Sequence, residues 1–212
     1  MATTKQTEQV AIKAPDIRTV VFKIRGTAPL LQAAFSAKAI QAIRAKHEAG
    51  STARGKKVRE ARDFSADCAA AAHRSTDGWY GVPASAFRCA MISACRLVGY
   101  TMTLAKLSFF VHADGFDAVN GQPLVRLDVG EPEETVMAVR NATGVMDLRA
   151  RPMWREWGLS LRVAYDADQF AANDVANLLL RVGQQVGIGE GRPDSRKSTG
   201  MGYGTFELVT EA

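Results

Sequence analysis

The sequence predicts an α+β fold: one antiparallel sheet of four strands with helices on a single face. Three observations carry this. Alternating apolar residues mark strands at 18–25 and 158–165. A segment of helical period follows each, at 85–98 and 173–186. A further extended segment follows each helix, so strand, helix, strand occurs twice. With 212 residues, one domain over 17–212 is expected, preceded by a flexible polar tail over 1–16.

The first strand, Arg18 to Arg25, is β-branched at Val20, Val21 and Ile24. Gly26 to Pro29 breaks it, and Leu30 to Ile43 then reads as a helix. Residues 44–62 carry seven basic side chains (Arg44, Lys46, Arg54, Lys56, Lys57, Arg59, Arg62) against Glu48 and Glu60. The centre of this segment, Gly50 to Gly55, has no core-forming pattern, so the segment reads as a basic arm inserted in the domain. Residues 64–74 regain helix propensity through alanine. Asp77-Gly78 is a turn and 79–83 a short extended piece. Ser85 then opens a helix along Phe87, Met91, Ile92, Cys95 and Val98, and Gly99 ends it.

Residues 103–112 read as a buried strand, 114–122 as a loop and 124–129 as a strand. Two extended segments, 135–140 and 145–152, follow the Gly-Glu-Pro-Glu-Glu turn. The strand at 158–165 alternates strictly through Leu159, Leu161, Val163 and Tyr165. The helix at 173–186 places Val175, Leu178, Leu179, Val182 and Val186 on one side, and 204–209 closes the chain as a strand. Side by side, the two halves give a ferredoxin-like (RRM-like) antiparallel sheet with helices on one face. The strands at 124–129 and 135–151 would form a hairpin extension between them.

The function classes narrow quickly. Net charge is +5, a mild excess that permits a polyanion partner. Three cysteines without a CxxC pair, and three histidines, offer neither a disulfide framework nor the usual zinc spacing. The polar N-terminal segment has no apolar stretch of a secretory signal, and no run of ~18 apolar residues suggests a membrane span. The expectation is a soluble intracellular protein with no membrane partner. His47, His73 and His112 have no motif partner, and Asp16, Asp114 and Asp117 form no metal set. No catalytic residue, metal or cofactor is assigned.

Three features point to a polynucleotide. The basic arm reads either as a solvated loop or as a thumb that closes over a phosphate backbone, with steep salt dependence. Arg149, Arg151 and Arg155 interleave with Trp154 and Trp157, which suits base stacking beside backbone charge; the other reading is an edge strand with its tryptophans in the core. Arg88 and Arg96 share a helix face, Arg88 being the better ligand candidate. The third feature is a glycine run, GIGEGRPDSRKSTGMGYG over 187–204. Its glycines, with Gly189, Gly191, Gly200 and Gly202 central, allow close backbone approach, and its amides beside Arg192, Arg196 and Lys197 suit phosphate oxygens. It is neither a Walker loop nor a dinucleotide fingerprint, because the glycines follow a helix instead of preceding one.

The stretch from Leu178 to Leu208, a last helix running into GxG…GxGxG and an aromatic final strand, resembles the RAMP superfamily, the RNA-binding proteins of CRISPR systems. Val82-Pro83-Ala84-Ser85-Ala86-Phe87-Arg88 is similar to the "(I/V)P-x-S-x-x-R" helix entry of their backbone subunits. Gly187 to Pro193, Gly202 to Glu207 and Gly26-Thr27-Ala28-Pro29-Leu30-Leu31 are similar to uncharacterised bacteriophage proteins. The resemblance implies a non-enzymatic, sequence-nonspecific protein of RNA or single-stranded DNA. It would form a homo-oligomer, possibly helical, as a backbone or filament subunit in the cytoplasm of a bacterial or phage-infected cell. It also implies two alternatives: a metal-independent endoribonuclease of the guide-processing type, or a phage structural or assembly subunit.

Overall fold

The computed structural model describes residues 12–48, 62–140, 144–195 and 200–209, with every side chain there except those of Lys46 and Arg140. The first half runs β1 (Ile17–Gly26), β2 (Leu30–Leu31), α1 (Ala37–Glu48), α2 (Phe64–Ala70), β3 (Gly81–Pro83), α3 (Ala84–Ala94), α4 (Met102–Ser108) and β4 (Phe109–Val111). The second runs β5 (Gly115–Phe116), β6 (Pro123–Arg126), β7 (Glu133–Arg140), β8 (Met146–Trp154), β9 (Gly158–Asp166), α5 (Ala172–Arg181) and β10 (Phe206–Leu208). A 3-10 turn, Cys95–Val98, extends α3, and a π-helical turn, Val182–Val186, extends α5.

The chain is mixed α+β, with five helices and three antiparallel sheets among the described residues. The main sheet has the order β10-β1-β9-β4. Alternation dictates its register: Val20 pairs with Val163, Phe22 with Leu161 and Ile24 with Leu159. This row meets the buried side of α3 (Phe87, Met91) and of α5 (Val175, Leu178, Leu179) in one core cluster. Phe206 joins it edge-on to both Phe87 and Trp157. Fully burying side chains of this size stabilises by ~1.5–3 kcal/mol each.

Several elements differ from their sequence reading, each for a physical reason. The strand expected at 103–112 is helical as far as Ser108, and only Phe109–Val111 pairs with β9. Helical spacing turns Ala105 and Ser108 inward and leaves Leu104 and Leu107 exposed, Leu107 at 71%. Leu30 and Leu31 are not the start of a helix: they pair with Trp154 and Met153, and both are fully buried. The helix begins at Ala37, where the Ser36 hydroxyl accepts the Ala39 amide. Pro83, not Ser85, takes the N-cap of α3.

The extension is also divided differently. β7 and β8 pair as a hairpin and join β2, whereas β6 belongs to a separate sheet ordered β3-β6-β5. The stretch read as a loop at 114–122 supplies β5. Of the expected N-terminal tail, residues 1–11 lie outside the described residues. Lys13 pairs with Asp168 at 2.8 Å, and the Asp16 carbonyl accepts the Ala167 amide, so the following segment is tied to the end of β9. Among the described residues, no helix is long and apolar enough to cross a membrane.

Candidate nucleic-acid interface

One stripe of α3 is left uncovered by the core: Ser85, Ala86, Cys89 and Ser93, continued by Arg96. Opposite it, the glycine run returns from α5. Between them lies a cavity of about 430 Å³ lined by Ala86, Cys89, Ser93, Arg96, Gly187, Gly189, Arg192 and Asp194. Ala86, Gly189 and Arg192 also line a second, of about 380 Å³, with Gln32, Ala33 and His73. Ala33, His73 and Ala86 lead to a third, with Phe35, Asn120 and Gln122. Ala33, Ala34 and Phe35 lead to a fourth, of about 390 Å³, where Arg62, Arg149 and Arg151 meet. Shared walls make these one groove. The part along α3 from Ser85 to Arg96 spans about 16 Å at the helical rise.

Small residues form much of its floor, and arginines stand at both ends. At one end Arg96 lies 2.7 Å from Asp194, and Arg192 donates to the Gly189 carbonyl. Hydrogen bonds from Ser93 and Arg96 outweigh partial burial and hold the Asp194 carboxyl below its ordinary range. At the other end Arg62 reaches Asp67, Asp147 and the Leu148 carbonyl, Arg149 lies 3.6 Å from Asp147, and Arg151 pairs with Glu190. Phe35 stands between them, 63% exposed. The sequence reading placed Phe35 in a helix; its exposure follows from the later start of α1.

The glycine run is mostly folded onto the chain itself. A Cβ at Gly189 would come within 2.5 Å of the Leu31 carbonyl oxygen, and one at Gly204 within 1.8 Å of that of Ile188. The amides of Gly204, Glu190 and Ile188 donate to Pro29, Leu31 and Gly204, and those of Met201 and Tyr203 to Gly191. The hydrogens of these five amides are spent within the chain, so these five are not bare donors for phosphate. At Gly202 the space around a Cβ would be open, and at Gly200 and Gly191 it is filled by Arg192 and Tyr203.

The remaining candidates fall elsewhere. Arg88 is turned away from the groove: it donates to the carbonyls of Phe109 and Lys106 and lies over the Phe110 ring. Arg96 lies beyond the end of α3, inside the 3-10 turn Cys95–Val98. Trp154 is 3% exposed and donates to the Gly130 carbonyl, so it is a core residue with no free face for a base. Arg155 pairs with Glu133 and Arg44 with Glu48. Arg54, Lys56, Lys57, Arg59, Arg196, Lys197 and the Lys46 side chain lie outside the described residues.

Sequence reasoning gave His73 no partner; the structure supplies one. Its Nδ1 lies 2.8 Å from Oδ2 of Asp117, which is 4% exposed, and its amide donates to the buried Gln32 side chain. Burial alone pushes the Asp117 carboxyl up, but hydrogen bonds from His73 and from the amides of Val119 and Asn120 together hold it below its ordinary value. His73 lines the groove, and its Nε2 has no partner among the described residues. Forty-four residues separate the pair, so no local motif could have announced it. Among the described residues no group of His, Cys, Asp and Glu side chains could hold a metal ion. No protein-family model matches the chain, and a search of curated proteins finds no match either.

Proposed function

We propose that this chain binds RNA or single-stranded DNA without sequence preference, the polynucleotide lying in the groove along α3. The observation that carries the reading is that groove: Arg96 and Arg192 at one end, Arg62, Arg149 and Arg151 at the other, and exposed Phe35 between. Backbone charge and a stacking face within one extended path are what sequence-tolerant single-strand binding needs. The exposed pairs of Arg62 and Arg96 exchange carboxylate for phosphate at little cost, because exposed ion pairs contribute only ~0–1 kcal/mol. The order β10-β1-β9-β4 with helices on one face supports a ferredoxin-like reading of the fold. The glycine run and the helix entry at Val82 support kinship with the RAMP superfamily. Side-by-side packing of copies along the polynucleotide in a bacterial cytoplasm belongs to the same proposal. The apolar face of Leu97, Leu104, Leu107 and Phe110, exposed around α4, favours it.

The test is fluorescence anisotropy of a labelled oligonucleotide across a salt series. Five phosphate contacts give a slope of about −3.5 in log K against log salt, reduced by one to two contacts in Arg96→Ala/Arg192→Ala. Exposed Cys89 lines the groove, so bound oligonucleotide slows its alkylation. Absence of binding at low salt, or alkylation unaffected by saturating oligonucleotide, refutes the proposal.

The His73–Asp117 pair favours a second reading, metal-independent RNA cleavage. Nε2 of His73 would take the 2′-hydroxyl proton as that oxygen attacks the adjacent phosphorus; the 5′-oxygen leaves and takes up a proton, giving a 2′,3′-cyclic phosphate and a 5′-hydroxyl end. Incubating labelled RNA and the matching DNA with wild type and His73→Gln decides it. Uncut RNA excludes this reading and leaves the binding proposal standing.

A further inference from the structure

We infer that the face of the main sheet opposite the helices carries a second binding site, for a single nucleotide unit whose base stacks on Trp79. Strand alternation turns Val21, Ser160 and Arg162 away from the core, and they line a cavity of about 350 Å³ with Trp79, Asp114, Arg126 and Asp128. None of these residues lines the α3 groove.

The indole is seated on bare backbone. A Cβ at Gly81 or Gly115 would come within 2.8 or 2.7 Å of its six-membered ring. These glycines lie on β3 and β5, the two neighbours of β6. No side chain intervenes, so the ring's position is set by the sheet beneath it. Trp79 is half-buried, whereas Trp154 and Trp157 are buried core residues.

The charges around the ring are unequally committed. Asp114 accepts from Arg162 Nη2 at 2.7 Å and from the Arg126 amide at 2.9 Å, which fixes the Arg162 guanidinium at one wall. The Arg126 guanidinium and the Asp128 carboxylate have no partner among the described residues. A ligand that satisfies this cavity is planar and aromatic for Trp79, anionic for Arg126, and carries N–H donors for Asp128. A nucleotide has all three. The carboxylate favours bases with an exocyclic amino group, guanine above all because it presents two adjacent N–H donors, over uracil. The same chemistry is offered by a free nucleotide or by one residue of a polynucleotide.

Tryptophan emission reads this site directly, since Trp79 is the half-exposed tryptophan. The full chain is titrated with guanosine monophosphate, uridine monophosphate, ribose 5-phosphate and a guanine-containing trinucleotide. Saturable quenching by guanosine monophosphate, at least several-fold weaker for the uridine nucleotide and absent for the sugar phosphate, is expected. Trp79→Phe abolishes the quench while emission of Trp154 and Trp157 reports that the fold is intact. Arg126→Ala, a surface change, raises the dissociation constant about tenfold. Binding of the trinucleotide tenfold or more above the mononucleotide identifies a residue of a strand as the ligand; equal binding identifies the free nucleotide. Quenching that persists in Trp79→Phe, or no quenching by any nucleotide, overturns the inference. Arg96→Ala/Arg192→Ala leaves the quench unchanged, so failure here and failure of the groove proposal are told apart.

Discussion

Replacing Gly204 by alanine places a Cβ 1.8 Å from the Ile188 carbonyl oxygen in a residue whose φ is +68°. Gly202, two positions earlier, has φ +78° and open space around it. Left-handed strain costs ~1–2 kcal/mol, and the stiffer unfolded chain returns ~0.4–1, so Gly202→Ala loses about 1 kcal/mol. At Gly204 the clash also displaces the hydrogen bonds to Pro29 and from Ile188, at 2.8 and 3.0 Å. At ~1 kcal/mol each, Gly204→Ala loses about 3 kcal/mol. For a chain of this length that corresponds to melting temperatures lowered by about 2–4 °C and about 6–12 °C. Urea and thermal unfolding followed by circular dichroism measure both. Equal losses would refute the argument that the run is built to pack on its own chain. A Gly202→Ala variant of normal stability that no longer binds oligonucleotide would return the run to the ligand.

Three further outcomes follow from the packing. Phe206→Ala removes a ring 1% exposed between Phe87 and Trp157 and costs ~3–5 kcal/mol in denaturant unfolding; a loss under 1 kcal/mol contradicts the core assignment. Arg151 and Glu190 join β8 to the glycine run with side chains only 16% and 25% exposed. A double-mutant cycle to alanine should therefore return a coupling of about 1–3 kcal/mol, above that of a surface pair, and zero coupling excludes it. Because the folded Asp117 carboxyl titrates below its unfolded value, its stabilisation is complete above about pH 4 and vanishes as pH falls through the folded value. Wild type should lose more stability than Asp117→Asn between pH 5 and pH 3, and parallel pH curves would disprove the linkage.

What was legible in the sequence is what local period decides. Leu159, Leu161, Val163 and Tyr165 alternate and are all buried; Val175, Leu178, Leu179, Val182 and Val186 follow the helical period and are buried too. Burial logic fails where apolar residues face outward, as Leu104 and Leu107 do on α4, and where an element is too short to show a period, as with Leu30–Leu31. At the site, clustering of glycine announced a bend but not its cause. That cause is a set of carbonyls at Pro29 and Leu31, more than 150 residues away in sequence. The same distance problem hides which arginines already hold carboxylates, and it hides the His73–Asp117 pair.

The position of β1 bears on how the chain is made. It lies in the middle of the main sheet, yet both of its neighbours, β9 and β10, are encoded in the last third of the chain. A ribosome adding ~5–20 residues per second needs about 7–26 s to travel from Gly26 to Gly158. Throughout that interval Val20, Phe22 and Ile24 have no partner for pairing. Such non-local closure is slow and leaves the nascent segment sticky, so slowing growth by cooling, or supplying a holdase, should raise the yield of native protein.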